Sequence, residues 1–154
     1  MERFKTPSAS MLILGRWNEG KLEILLQKRR NTGYMDGYYD FAASGHIEKD
    51  ESAKAAMIRE AKEELGIDIA KEDLQFSSVV HKNLVKDETS YFNFYFYTEK
   101  YLGVPHVNEP EKCSEIKWFP IDALPDNFID DRRQAIKNHL DNVYYNEYGF
   151  TKEK

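Results

Sequence analysis

Cysteine is almost missing from this chain, with one in 154 residues. Cys113 therefore has no intrachain partner, a disulfide framework is excluded, and a reducing cytoplasm is the expected setting. No apolar run approaches the ~20 residues that cross a bilayer, so no membrane partner is expected. The opening residues, Met1 to Ser8, lack an apolar h-region, and no secretory signal is expected. Repeats, low-complexity tracts and linkers are also lacking, which leads us to expect a single domain over residues 1–154. Nor is there an excess of positive charge. The 22 Lys+Arg face 27 Asp+Glu, a net charge of −5, which argues against broad binding to macromolecular nucleic acid or an anionic surface. What is present is 41% hydrophobic and 14% aromatic residues, enough to exclude disorder and to close one core.

Met11–Trp17 is apolar and Lys21–Gln27 partly alternates, with Asn18-Glu19-Gly20 between them as turn chemistry, so a β-hairpin is expected. Asn31–Tyr39, with two glycines and three tyrosines, reads as a loop, and Phe41-Ala42-Ala43 as a short strand running into Ser44-Gly45. Ser52 to Leu65 is the clearest helix. Asp50 or Ser52 can cap its start, Gly66 can end it, and Ala53, Ala56, Met57 and Ala61 form one small-residue face. Phe76–His81 and Tyr91–Thr98 follow as strands, the second with aromatics to both faces, as suits a strand between two layers. Glu115–Phe119 reads as a strand ended by Pro120. Asp130–Tyr145 reads as a second helix with Ile129, Ile136, Leu140 and Val143 at helical spacing. Strands and helices mix without regular βαβ alternation, so the expected fold class is α/β, a mixed sheet with helices on both faces.

The chemistry concentrates between Gly45 and Ile67. Glu60, Glu63 and Glu64 stand at i, i+3 and i+4, so three carboxylates leave one face of the helix. Together they repel unless a counter-charge sits among them. A hard divalent cation supplies it, and Mg²⁺ in particular is shared between carboxylates, waters and substrate phosphates. Arg59, four residues before Glu63, is placed to hold a carboxylate, and the loop from Gly45 brings a backbone carbonyl beside the acidic face. Taken alone, an acidic triplet is more often a solvated helix face; the longer spacing decides otherwise.

Gly45, Glu51, Arg59, Glu60, Glu63, Glu64 and Gly66 fall at the spacing of the Nudix box, which this 23-residue stretch resembles at every fixed position. Seven such residues, each near ~7% usage, coincide by chance in roughly one window in 10⁸. The flanks are similar to a Nudix domain as well, including Trp118-Phe119-Pro120-Ile121 before the closing helix. Two positions depart from the usual pattern: Ser44 where paired glycines are common, and the small Ala61 after Arg59-Glu60. The resemblance implies an α/β/α sandwich around a mixed sheet. It implies hydrolysis of a nucleoside diphosphate linked to another group, with Mg²⁺ or Mn²⁺ as cofactor. Glu60, Glu63 and Glu64 would be metal ligands, with the Gly45 carbonyl assisting. Glu60, Arg59 and Glu63 form the expected catalytic set, in which Glu60 takes the proton from the attacking water and Arg59 orients Glu60 or Glu63. Glu51 is expected to be a structural partner at the loop–helix junction. A rate that rises toward mildly alkaline pH is expected of such a proton acceptor.

Outside the box, the same resemblance points to Arg29, at the end of the second strand, as a contact for substrate phosphates. It also points to Glu111, in the loop before the Trp118 strand, as a further metal ligand. His46 is as much a loop-packing residue as a substrate contact; His81, His106 and His139 show no ligand spacing. Cys113 reads as a small buried or loop residue. Tyr91, Asn93, Tyr95 and Tyr97 share one strand face, where the tyrosines read as core and Asn93 as a base contact. No proline lies between Pro7 and Pro105, and Leu84 and Val85 stand where a tyrosine would mark dinucleoside polyphosphate enzymes. The block that marks NADH-type relatives downstream is missing too. By elimination a MutT-like nucleoside triphosphate pyrophosphohydrolase is expected, as a monomer or homodimer. The alternatives are an enzyme like isopentenyl-diphosphate isomerase, which needs a nucleophilic cysteine, and a catalytically silent nucleotide-binding module.

Overall fold

The computed structural model describes residues 2–84 and 89–150. Strands β1 (Ser8–Asn18) and β2 (Lys21–Arg29) form the expected hairpin. Its two turn residues, Glu19 and Gly20, both take positive φ (51° and 80°), the twist that closes a tight hairpin without splaying its strands. β3 (Tyr39–Phe41) and β4 (Ala43–His46) replace the single strand expected around Phe41-Ala42-Ala43. The chain changes partner at Ala42: β3 lies antiparallel to β2, whereas β4 lies antiparallel to β1. After helix α1 (Ala53–Leu65) come β5 (Gln75–Leu84) and β6 (Thr89–Thr98), both longer than expected. They are followed by β7 (Cys113–Pro120), α2 (Asp130–Asp141) and β8 (Tyr145–Tyr148).

The sheet runs β3-β2-β1-β6-β5-β8, with β4 also on β1 and β7 on β2. The β1–β6 and β5–β8 pairs are parallel and the others antiparallel, so the sheet is mixed as expected. Side chains alternate along β1. Ala9, Met11 and Ile13 pack with Ala135 and Ile136 of α2. Leu12 and Leu14 pack with Met57, Ala61 and Leu65 of α1. Each helix thus covers one face, giving two cores with the sheet between them. The aromatic strand β6 behaves the same way: Tyr95 and Tyr97 enter the first core and Phe96 the second.

Helix α1 begins and ends where its residues dictate. The Ser52 hydroxyl accepts from the Ala55 N–H at 3.1 Å, and Gly66 closes the helix in the left-handed region at φ 70°. The second helix is shorter than the expected Asp130–Tyr145. Asn142 turns left-handed at φ 57°, and Tyr145–Tyr148 pairs instead with β5 in parallel register, Val79 opposite Tyr145. Two adjacent tyrosines after a left-handed asparagine favour a strand over another helical turn. Consequently Ile129 and Ile136 are buried as expected, while Leu140 and Val143 are exposed. Among the described residues, no helix is long and apolar enough to cross a membrane.

Candidate metal and diphosphate site

The site forms where β4 runs beneath α1. At Gly45 the strand passes so close to the helix that a Cβ would stand 2.0 Å from Glu60 Oε2 and 2.1 Å from its Cδ. Only a residue without a side chain lets Glu60 occupy that position. The neighbouring Ser44 tolerates its Cβ and lines the same cleft.

Arg59 organises the carboxylates around it. Its Nε and Nη2 donate to the two oxygens of Glu51 at 2.8 and 3.0 Å, a two-pronged pair. Nη1 donates to Glu60 Oε2 at 2.9 Å and lies 3.6 Å from Glu63 Oε1. Nη2 also reaches the His46 carbonyl at 3.2 Å, tying helix to strand. The Arg59 hydrogen bonds, joined by the Glu48 N–H, hold the Glu51 carboxyl at about 2. Glu51 is thus spatially the anchor of Arg59 at the loop–helix junction.

Glu60, Glu63 and Glu64 all line a cleft of about 650 Å³, together with Gly45, Arg59 and Arg29. They differ in exposure. The Glu60 side chain is mostly shielded and that of Glu63 is half open. Glu64 is the most constrained: loss of surrounding water, then the adjacent Glu60, push its carboxyl far above the ordinary carboxylate range. Gln27, not singled out in the sequence, donates to Glu64 Oε1 at 3.3 Å while also holding the carbonyls of Phe41 and Ala42. In the Glu109-Pro110-Glu111 segment, where the sequence favours Glu111, it is Glu109 that lines the cleft and adds its charge to Glu64. Glu111 is exposed and lies outside the residues that line the cleft. The turn that joins the Glu109 carbonyl to the N–H groups of Lys112 and Cys113 selects the earlier acid.

Arg29 does reach the cleft, but its nitrogens are engaged by the Tyr34 carbonyl (2.7 Å), Asp40 (2.9 Å) and Thr32 (3.1 Å). His46 lines the cleft and stacks on Tyr91. The other imidazoles lie elsewhere: His81 stacks on Phe92, His106 meets the Val104 carbonyl, and His139 meets Ser77. Cys113 lines the cleft but is buried, and that burial pushes its thiol up, away from the reactive thiolate.

Among the described residues, no three His, Cys, Asp or Glu side chains converge tightly enough to enclose an ion unaided. The donor set still fits a hard divalent cation. It consists of oxygens only, clustered beside a strand cut back at Gly45, and Mg²⁺ takes few protein ligands, completing its shell with water and phosphate.

The NUDIX domain family model matches residues 5–139. Among curated proteins, the chain is 27% identical over 144 residues to the NAD-capped RNA hydrolase NudC of Stutzerimonas stutzeri. The match covers 94% of this chain and 46% of that protein, so the chain spans about half the length of the curated relatives it matches. Among solved structures, the MutT NUDIX hydrolase of Burkholderia pseudomallei superposes with a TM-score of 0.76 at 23% identity, covering 88% of this chain and 98% of that one. The NUDIX domain of Shewanella oneidensis NrtR, solved with ADP ribose, gives 0.70 at 16% identity over 92% and 90%. At such identities the structures establish the shared fold, and the extent of the family match, from the first hairpin strand to the last helix, establishes the rest: the chain belongs to the NUDIX domain family.

Proposed function

We propose that this protein hydrolyses the diphosphate linkage of a nucleoside diphosphate derivative, with Mg²⁺ or Mn²⁺ as cofactor. The observation that carries this reading is the close passage of Gly45 under Glu60, which only a residue lacking Cβ allows. It places a shielded carboxylate beside two more on one cleft, an arrangement that has little purpose without a cation and an anionic substrate. Glu60, Glu63 and Glu64 would hold the cation, with the Gly45 carbonyl, and with Glu109 in the part first assigned to Glu111. Bound there, the cation supplies the positive charge that offsets a polyanionic substrate and acidifies the attacking water. Glu60 accepts the water proton as the water oxygen bonds to phosphorus and the bridging P–O bond breaks. Arg59 keeps Glu60 in place and is itself fixed by the two-pronged Glu51 pair.

A nucleoside triphosphate, cleaved to monophosphate and pyrophosphate, is the first substrate reading. It rests on the missing marks of the ADP-ribose, dinucleoside polyphosphate and NADH types. A second reading, an NAD-type dinucleotide either free or at an RNA end, is supported by the likeness to NudC proteins. The isomerase alternative is disfavoured because Cys113 is buried and unactivated. The test is a panel of dNTPs, oxidised dGTP, ADP-ribose, sugar nucleotides, dinucleoside polyphosphates, NADH and NAD-capped RNA, assayed for phosphate-bond cleavage with Mg²⁺ and Mn²⁺. At least one member is cleaved, and Glu63→Gln lowers that rate by about 100-fold or more. Equal rates for wild type and variant sink the catalytic assignment, and a uniformly inert panel leaves the silent binding module in its place.

A further inference from the structure

Beside the acidic cleft lies a second chamber of about 340 Å³, sharing Arg29, Ser44, Gly45 and His46 with it. Its wall has the opposite electrical character. Lys82, Arg132 and Arg29 line it, and no carboxylate does. These cations belong to a network that runs through the core. Arg132 donates to Asp40 at 2.8 Å and to Asp131 at 3.1 Å; Lys82 meets Asp131 at 2.8 Å; Arg29 meets Asp40 at 2.9 Å. The side chains of Lys82, Arg132, Asp40 and Asp131 are each 8% exposed or less, and that of Arg29 is 17%. Both carboxylates sit behind the wall, so three cations face the chamber with two anions at their backs.

Asp36 also lies near enough to Arg29 to act on it by charge, but it is fully exposed, so the face presented to the chamber itself is cationic. A counter-anion in the chamber would pair with these mostly buried cations. Hydrogen-bonding capacity points the same way. Lys82 directs two of its three N–H groups to Asp131 and the Tyr34 hydroxyl, which leaves one among the described contacts. The Arg29 and Arg132 terminal nitrogens carry second hydrogens beyond those already bonded. Asn93, nine-tenths buried, lines the same wall. The His46 and Tyr91 rings, which also line the chamber, lie nearly parallel, 16° apart with centroids at 6.2 Å. The volume falls at the lower end of the range of pockets that hold small molecules.

Resting on the hydrolase reading above, we infer that this chamber receives the group carried by the diphosphate and that this group is itself anionic. An ionised nucleobase and a carboxylated or phosphorylated sugar share that chemistry. The diphosphate then lies over the acidic cleft with its cation, while the second negative charge enters the basic chamber.

Two measurements test this. The first uses inorganic phosphate as the probe, in EDTA, where the acidic cleft repels anions and only the chamber can take one. NMR titration of the wild type gives saturable shifts at residues 82, 91, 93 and 132. Glu63→Gln, which slows hydrolysis, keeps this binding; Lys82→Met weakens it about tenfold. Because Lys82→Met leaves Asp131 with Arg132 as its one cationic partner among the described contacts and can lower stability, Tyr91→Glu is the second variant. It adds a carboxylate at a partly exposed wall position and weakens phosphate to a similar degree. The second measurement compares kcat/KM within pairs that share a diphosphate. Xanthosine triphosphate, whose base ionises near neutral pH, is set against inosine triphosphate, and UDP-glucuronate against UDP-glucose. The anionic member of one pair is preferred about tenfold or more, and the pair in which this happens identifies base or sugar as the source. Tyr91→Glu brings the ratio of kcat/KM between the anionic and neutral members toward one, whatever it does to either rate alone. Absence of saturable phosphate binding, or preference for the neutral member in both pairs, overturns the inference even if hydrolysis is confirmed. Phosphate binding without hydrolysis of any substrate would instead fault the proposed activity and leave the anion site standing.

Discussion

At Gly45 the backbone φ is ordinary, so alanine there meets no backbone objection, only the end of the Glu60 side chain 2.0 Å away. That end is flexible and can swing aside, which makes Gly45→Ala a selective lesion. The fold survives, but Glu60 leaves its bond to Arg59 and its place in the cleft. A displacement of this size at a reacting group costs about 100-fold in rate. We therefore expect kcat to fall by about that factor, while the thermal midpoint stays within a few degrees of wild type. Unaltered kcat, checked beside a melting curve, would show that the close contact has no catalytic meaning. Ser44, by contrast, already carries its Cβ without such an encounter, so the departure from paired glycines leaves Glu60 undisturbed.

Between elements, the strongest tie outside the two apolar cores is Asp40 on β3. Its carboxylate receives Arg132 from α2 and Arg29 from β2, joining parts of the chain 92 residues apart. Burial alone would raise its pKa, yet the two guanidinium groups and the Phe41 N–H outweigh that and hold it below the ordinary aspartate value. The sign follows from linkage. A folded-state value below the unfolded one means the stabilisation is full above the unfolded pKa and is lost as pH falls toward the folded one. Asp40→Asn leaves two arginines facing a neutral amide and should cost about 3–5 kcal/mol at neutral pH. Denaturant unfolding followed from pH 6 to pH 2.5 should show a steeper loss in wild type than in the variant. Parallel curves would mean that Asp40 contributes nothing to acid sensitivity. This network also marks the limit of what residue order reveals. The hairpin, the capped α1 and the acidic triplet are readable because their determinants lie within a few residues of one another. Asp40, Arg132 and Lys82 carry no local pattern; their meeting depends on how the strands are ordered. The same holds for Gln27 under Glu64. Glu109 was closer to hand, in the right loop, but which acid of Glu109-Pro110-Glu111 faces the cleft depends on a turn that spacing does not specify. The end of α2 is not legible in the sequence because Leu140 and Val143 continue a helical rhythm that Asn142 breaks.

Across the whole molecule, two compartments of opposed charge lie side by side: one lined by carboxylates of α1, the other by cations from β2, β5 and α2. The acidic compartment opposes folding when it stands alone, since Glu64 has lost much of its water and both Glu60 and Glu109 disfavour its ionisation. A divalent cation that binds there prefers the folded chain, because only folding brings β4, α1 and the Glu109 loop together, and such a ligand stabilises by mass action. At a concentration 100 times its dissociation constant the gain is about 2.7 kcal/mol, which for a domain of this size raises the midpoint by about 5–10 °C. Differential scanning calorimetry with Mg²⁺, with Mn²⁺ and with NaCl at matched ionic strength separates specific binding from screening. Both divalent ions should raise the midpoint, EDTA should reverse the rise, and sodium should do little. Glu63→Gln, which removes one ligand but keeps its shape, should shrink the shift without changing the midpoint measured in EDTA. A midpoint indifferent to Mg²⁺ and Mn²⁺ would mean that the acidic cleft holds no cation at these concentrations, and the hydrolytic reading would lose its cofactor.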